Sequence, residues 1–347
     1  MHSSTFSFEP ALVRAATSRG RGIAIPLAII ASILILLEAL TWSVVEKRSK
    51  LQQTINQEYR EAVGIRRGSE GGRKQLLILG NSLVGYDIDF GMLTRELGPN
   101  WRARQFWIHN TAYEDWRFGM RRLFAEGSRP DVVCLVLAGG NWRAAGIRGD
   151  YSSPYMFQAA DIPAIGSELN YNRTQTSSLL FARFSRFYAV RSEIRKAVLQ
   201  FLLPDLPQMY ELFQPRASKP LSATEVLATI KPRIEKVHRT AQLNGTKLIL
   251  IVPPVPRPGQ EYLQELSSAA REVGIDALTP VSYADMTAAD FMDDTHLTPA
   301  GAAIFTSKLM PSLRSALNAQ DSPANQASGK QDTDSYARAS LAPAKRP

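Results

Sequence analysis

With 347 residues, 44% hydrophobic and 21% charged, the chain is long enough for one large domain with appendages and too apolar to be disordered throughout. Its formal net charge of +9 is uneven: residues 1–74 hold eleven Lys/Arg against six Asp/Glu, so over half of the excess flanks one apolar segment. That placement fits a membrane surface. There is no zinc-finger spacing, basic heptad helix or basic-aromatic RNA motif, so nucleic acid is not an expected partner.

The apolar segment comes first. Residues 23–45 read IAIPLAIIASILILLEALTWSVV, and a bilayer-spanning helix needs about 20 apolar residues. Arg14, Arg19 and Arg21 precede it, and Trp42 stands at its far end, where aromatic belts form. A signal peptide would carry a shorter apolar core of about 7–15 residues and a small-residue cleavage site. The expectation is an uncleaved single-pass anchor, with 1–22 on the cytoplasmic side and the rest outside. Lys47, Arg48 and Lys50 follow the span and dilute that positive-inside signal. Glu38 lies within the span, where a carboxylate is costly; it calls for a partner or for reach to the outer interface. Residues 46–73, polar and ending Gly68-Ser69-Glu70-Gly71-Gly72, read as a stalk.

Strands and helices then alternate over 74–317. Apolar runs at 75–79, 105–109, 131–137 and 247–252 suit strands buried on both faces of a parallel sheet. Between them, Met92, Leu93 and Leu97 share a helical face, as do Val226, Ile230, Ile234 and Val237. The last helix opens with Thr298 as N-cap and Pro299 at the first position, and repeats Phe305, Leu309, Leu313 and Leu317. The pattern implies a doubly wound α/β domain. Cys134, the lone cysteine, sits in the third apolar run and reads as a buried, inert thiol. Residues 143–222 are too long for a simple connection and rich in aromatics and arginine. Within them 177–201 looks helical and amphipathic: a lid, a glycan-binding wall, a patch resting on the membrane, or a packed insertion. The tail from Asn318 lacks apolar periodicity and is expected to be disordered.

In open parallel sheets, ligands bind at the carboxyl ends of the strands. The first strand ends in Gly80-Asn81-Ser82, a turn that exposes a hydroxyl. The third ends in Gly139-Gly140-Asn141, which offers close backbone approach and an amide donor. Of four histidines (His2, His109, His238 and His296), only His296 lies in a polar loop beside carboxylates and before a capped helix. A nucleophile, a donor and a base thus come from three separate chain segments.

These segments, with Leu83 and Leu297, resemble the first, third and fifth sequence blocks of the SGNH (GDSL-like) hydrolase superfamily, in that order. The resemblance implies a flavodoxin-like three-layer α/β/α fold with a mainly parallel sheet. It implies a serine triad of Ser82, His296 and Asp293, the carboxylate three residues before the histidine being preferred over Asp294. It also implies an oxyanion hole of the Ser82 N–H, the Asn141 amide and a second-block N–H. Two departures stand out: Asn81 replaces the common Asp, and the second-block region, Asn110 to Asp115, lacks its glycine. Asp115 is the expected donor by its offset from Asn110. Neither metal nor cofactor is required.

The expected chemistry is hydrolysis or transfer of an acyl group, acetyl by preference, on an extracytoplasmic glycan at a bacterial inner membrane. Resemblance to single-pass SGNH proteins that work beside multispanning membrane acyltransferases in bacterial polysaccharide O-acetylation implies such an acyltransferase as a partner, with Glu38 as a candidate contact. A lipase or thioesterase would instead need a wide apolar groove from 143–222. A non-catalytic carbohydrate-binding or assembly protein is kept open by the missing glycine.

Overall fold

The computed structural model describes residues 11–68, 71–144, 146–203, 222–256 and 261–319, with 11–22 as helix backbone. The first ten residues of the N-terminal segment and the tail beyond Ala319 lie outside the described residues.

Five parallel strands form the sheet: β1 (Lys74–Gly80), β2 (Trp101–Trp107), β3 (Val132–Val136), β4 (Lys247–Ile251) and β5 (Asp276–Leu278). Their order is β2-β1-β3-β4-β5, the flavodoxin-like arrangement. Residues alternate between two faces, and both are covered, which is why the central strands are apolar throughout. Leu77, Leu79, Val133, Leu135, Leu248 and Leu250 enter one core. Leu76, Ile78, Val132, Cys134, Ile249 and Ile251 enter the other. Each such side chain contributes roughly 1.5–3 kcal/mol when fully buried.

Helices α1 (Ala11–Thr41), α2 (Lys50–Val63), α3 (Ser82–Asp87), α4 (Phe90–Leu97), α5 (Tyr113–Ala125) and α6 (Gly139–Arg143) precede or interleave the first three strands. The insertion supplies α7 (Ser153–Met156), α8 (Ile162–Glu168), α9 (Arg173–Phe184) and α10 (Arg186–Leu202). α11 (Ala223–Leu243), α12 (Leu263–Val273) and α13 (Pro299–Asn318) complete the domain. The expected apolar faces hold: Val226, Ile230, Ile234 and Val237 of α11 are fully buried, and so are Phe305, Leu309, Leu313 and Leu317 of α13. Thr298 caps α13 by accepting the Gly301 N–H.

Four readings change. The second strand begins at Trp101 and ends at Trp107, leaving His109 beyond it. It is an edge strand whose first five residues are partly exposed, so apolar density marks only its end. β5, three residues long and also at an edge, carries too little pattern to be read. The segment taken as a stalk contains α2, which docks on the sheet through Ile55 and Ala62, both fully buried, and through Tyr59 stacked edge-on to Phe106 at 5.4 Å. Its many charges hide this sparse 3-to-4 spacing. The helix expected over 177–201 is two helices, broken at Ser185, which caps α10.

α1 continues through a π-helical turn (Trp42–Glu46). Ile23–Glu46 forms a helix long and apolar enough to cross a membrane, with none of its most apolar stretch buried within the protein.

Candidate active site

The end of β1 is shaped by its neighbours. Gly80 pairs with Trp107 on one side and Val136 on the other. A Cβ at Gly80 would stand 2.3 Å from the Val136 carbonyl oxygen, so only glycine lets β1 and β3 close here. The chain then turns directly into α3. Asn81 accepts the Leu83 N–H at 3.1 Å as N-cap, and its amide donates to the Thr111 carbonyl at 3.2 Å. An aspartate could cap the helix but could not make the second bond while ionised. Asn81 therefore ties the Ser82 turn to the loop after β2. Ser82 opens α3 and is 6% exposed. Its backbone N–H has no acceptor among the described residues.

His296 arrives on the loop before α13. Its backbone carbonyl accepts the Met292 N–H at 2.8 Å, and Thr298 N–H bonds the Asp290 carbonyl at 2.8 Å, closing a small hairpin. Gly301 seats the start of α13 on that hairpin, because a Cβ there would lie 2.3 Å from the Asp290 carbonyl oxygen. Asp293 shapes the tip: Oδ1 accepts the backbone N–H groups of Thr295 at 2.8 Å and His296 at 2.7 Å.

The three expected residues meet. His296 Nε2 lies 2.7 Å from Ser82 Oγ, and Nδ1 lies 2.9 Å from Asp293 Oδ2. Partial burial raises the Asp293 carboxyl, but its bonds to the His296 ring, the His296 N–H and the Thr295 N–H outweigh that and hold it below the usual value. With Nδ1–H donated to this carboxylate, Nε2 is the free acceptor facing Ser82, the tautomer a base requires. Asp294 does not bond His296; it accepts a long contact, 3.4 Å, from the Thr295 hydroxyl.

Asn141 sits in α6, just past the end of β3 and therefore next to the end of β1. Its N–H bonds the Ala138 carbonyl, and its side-chain amide has no partner among the described residues.

Asp115 does not fill the role expected of it. It lies inside α5 with no exposed surface, so its N–H is closed to a substrate. Its carboxylate instead gathers the Ala112 N–H, the Arg148 N–H and the Ser152 hydroxyl, at 3.1, 3.1 and 2.8 Å. Burial pushes this carboxyl up to about 6, against the pull of those donors. The offset from Asn110 pointed to a residue buried within α5.

Three residues near the site carried no weight in the sequence. Tyr86 packs its ring 4.9 Å from that of His296. His109 stands 6.0 Å from Tyr86 and 4.7 Å from Trp107, its pKa lowered by burial and by the charges of Arg148 and His296. Asp87 is fully buried and accepts the Leu297 N–H at 2.9 Å, clipping the histidine loop to α3. Burial drives its carboxyl well above the usual range despite that bond, the Asp293 charge adding to the rise, and its other oxygen has no partner among the described residues. Position was the available signal: Tyr86 and Asp87 lie one helical turn after Ser82, and His109 just follows a strand end. A cleft of about 480 Å³ lies beside Tyr86, lined also by Phe90, Met292, Leu297 and Ala302. Another, of about 500 Å³ around Lys74, Trp101 and Arg314, lies at the strands' amino ends, away from these residues.

No family model and no curated protein sequence matches the chain. Solved structures similar to it include TesA, at 12% identity and TM-score 0.36, over 70% of this chain and 99% of that one. A GDSL-like lipase from Bacteroides thetaiotaomicron is similar at 10% identity and TM-score 0.35, over 75% and 96%. A variant of an acetyl-xylooligosaccharide esterase from Geobacillus Stearmophilus is similar at 12% identity and TM-score 0.33, over 69% and 93%. At such identities the likeness concerns the fold alone.

Proposed function

We propose that this chain is a membrane-anchored serine acyl-ester hydrolase or O-acyltransferase. The observation that carries the reading is the relay from Ser82 through His296 to Asp293, with contacts of 2.7 and 2.9 Å, at the carboxyl ends of the strands. In it, Ser82 Oγ attacks the ester carbonyl while its proton passes to His296 Nε2. The tetrahedral oxyanion takes the Ser82 N–H and the Asn141 amide as donors, both without acceptors among the described residues. Collapse breaks the bond to the alcohol, which leaves with the proton from His296. Water or a sugar hydroxyl then attacks the acyl carbon while giving up a proton to His296, and collapse breaks the bond to Ser82 Oγ, which takes that proton back from His296. Asp293 keeps the ring oriented throughout.

In this reading α1 is a single-pass anchor in a bacterial inner membrane, N-terminus inside and domain outside. The acyl group is acetyl, the acceptor an extracytoplasmic glycan, and a multispanning acyltransferase the source of the acyl group. The anchor supports this by holding the site near membrane-borne donors. Glu38 is not offered as a contact for that partner, since donors of the same chain surround it.

The test is hydrolysis of p-nitrophenyl acetate by the full chain in detergent, followed by the same donor with oligosaccharide acceptors. Turnover should fall to background in Ser82→Ala; equal rates in both proteins would overturn the mechanism. Acetylated oligosaccharide indicates transfer, and acetate alone indicates hydrolysis.

A lipase or thioesterase is the second reading, favoured by the apolar side chains of the cleft beside Tyr86. That cleft is formed by α3, α4 and the histidine loop rather than by 143–222. Rising kcat/KM from acetyl to octanoyl esters would select this reading.

A further inference from the structure

Glu38, in the apolar segment, is held by the end of the chain's own insertion. Its carboxylate accepts the Ser185 hydroxyl at 2.7 Å, the Arg186 N–H at 2.7 Å and the Phe187 N–H at 3.1 Å. These donors are the cap and first turn of α10. Arg186 also pairs with Glu46, at 3.5 Å, which fixes the same turn to the end of the apolar segment. The corner where α9 passes into α10 is therefore locked to α1 at the height of Glu38. That height follows from the helix rise of about 1.5 Å per residue: roughly 6 Å below Trp42 and roughly 12 Å below Glu46. Tryptophan marks the boundary between acyl chains and headgroups. Whatever binds Glu38 sits at or just inside that boundary.

The side chains at this corner are those that lipid favours. Phe181 is 58% exposed and Phe184 72%, with Leu180 beside them at 40%. Arg183 and Arg186 beside them turn back to the domain: Arg183 donates to the Phe157 carbonyl at 3.0 Å, and Arg186 lies over the Tyr155 ring. α10 continues with Arg195 and Lys196 exposed, and its far end exposes Val198, Phe201 and Leu202. Apolar side chains mixed with basic ones are the composition of a helix lying in a membrane interface.

We propose that the α9–α10 corner is a membrane wedge: Phe181 and Phe184 insert among phospholipid acyl chains beside α1, and α10 lies along the headgroups. The proposal rests on α1 being a membrane span. It adds a second point of attachment, so the domain cannot swing on its anchor. The wedge also reaches the candidate site. Glu193 of α10 pairs with Arg148 at 2.8 Å, and the Arg148 guanidinium donates to the His109 carbonyl, next to Tyr86 and His296. The height of the corner in the bilayer thus sets the height of Ser82 above it.

The experiment uses the full chain in phosphatidylcholine–phosphatidylglycerol vesicles, with an environment-sensitive fluorophore on single introduced cysteines. Cys134 is fully buried and its thiol is pushed up to about 12, so it stays unlabelled. Phe184→Cys should be quenched most by shallow nitroxide lipids, Leu34→Cys by deep ones, and Leu243→Cys, exposed on α11, by neither. Quenching at 34 without quenching at 184 overturns the wedge and leaves the span intact. No quenching at 34 overturns the span itself. In a Glu38→Ala background, quenching at 184 should be lost and quenching at 34 kept; unchanged quenching at both would overturn the clamp.

Discussion

Ser82 and His296 meet across 2.7 Å but are delivered by regions built in opposite ways. The serine turn is buried and determined by backbone: two strands closing on Gly80, and a helix capped by Asn81. The histidine loop lies at the surface, with the Asp293 side chain 46% exposed, and is shaped by carboxylates. Asp293 folds its tip, and Asp87 clips its base to α3. The position of Ser82 is thus set by the sheet and should resist pH, while that of His296 depends on groups that titrate.

Substitutions separate the two constructions. Ser82→Ala removes the proposed nucleophile and should lower kcat by at least about 10⁴-fold, leaving only what the oxyanion donors and binding supply. Asp293→Asn should lower kcat by about 10³-fold, less than for a buried orienting carboxylate because water can reach this one. Little change in the ester assay would mean that the loop backbone alone orients the ring. Asn141→Ala should cost about 10²–10³ in kcat with KM nearly unchanged, since in the proposed mechanism its amide acts on charge that develops in the transition state. A rise in KM alone would make Asn141 a ground-state contact instead.

Asp87 gives the sharper test of the loop. Its pKa is raised by burial, so the folded protein holds a proton that the unfolded chain releases above about 3.9. Unfolding free energy therefore contains a contribution that is full below that value and falls as pH climbs to the raised folded value. Asp87→Asn, which keeps an acceptor for the Leu297 N–H, should remove this decline from the pH profile of Tm. Asp87→Leu orphans that N–H and should cost about 1–3 kcal/mol at every pH, with kcat falling as the loop loosens. Identical pH profiles in wild type and Asp87→Asn would show that the carboxyl does not titrate there. The smallest effect belongs to the serine side. Asn81→Asp keeps the cap but loses the bond to Thr111, and should cost about 1 kcal/mol in urea unfolding.

The same contrast explains what the sequence made legible. β1, β3 and β4 announced themselves because both faces of their side chains are buried. Ser82, Asn141 and His296 were legible because they follow strand ends or precede a capped helix. The missed elements owe their identity to neighbours distant in sequence. α2 reads as polar until Ile55 and Ala62 meet the sheet, and β5 is too short to have a period. Asp87 is an ordinary acid until the fold brings to it Leu297, 210 positions further along the chain. Asp115 was misread because an offset along the chain says nothing of how deep a helical residue points.

Glu38 bears on how the protein is made. Its hydroxyl donor, Ser185, lies 147 residues downstream. At a synthesis rate of about 5–20 residues per second, roughly 7–30 s separate the emergence of the carboxylate from that of its donors. During that interval the nascent apolar helix holds an acid that only water or a bound proton can satisfy. On the proposed anchoring, α1 would therefore enter the bilayer unfinished and reach its final depth only once α10 has folded against it.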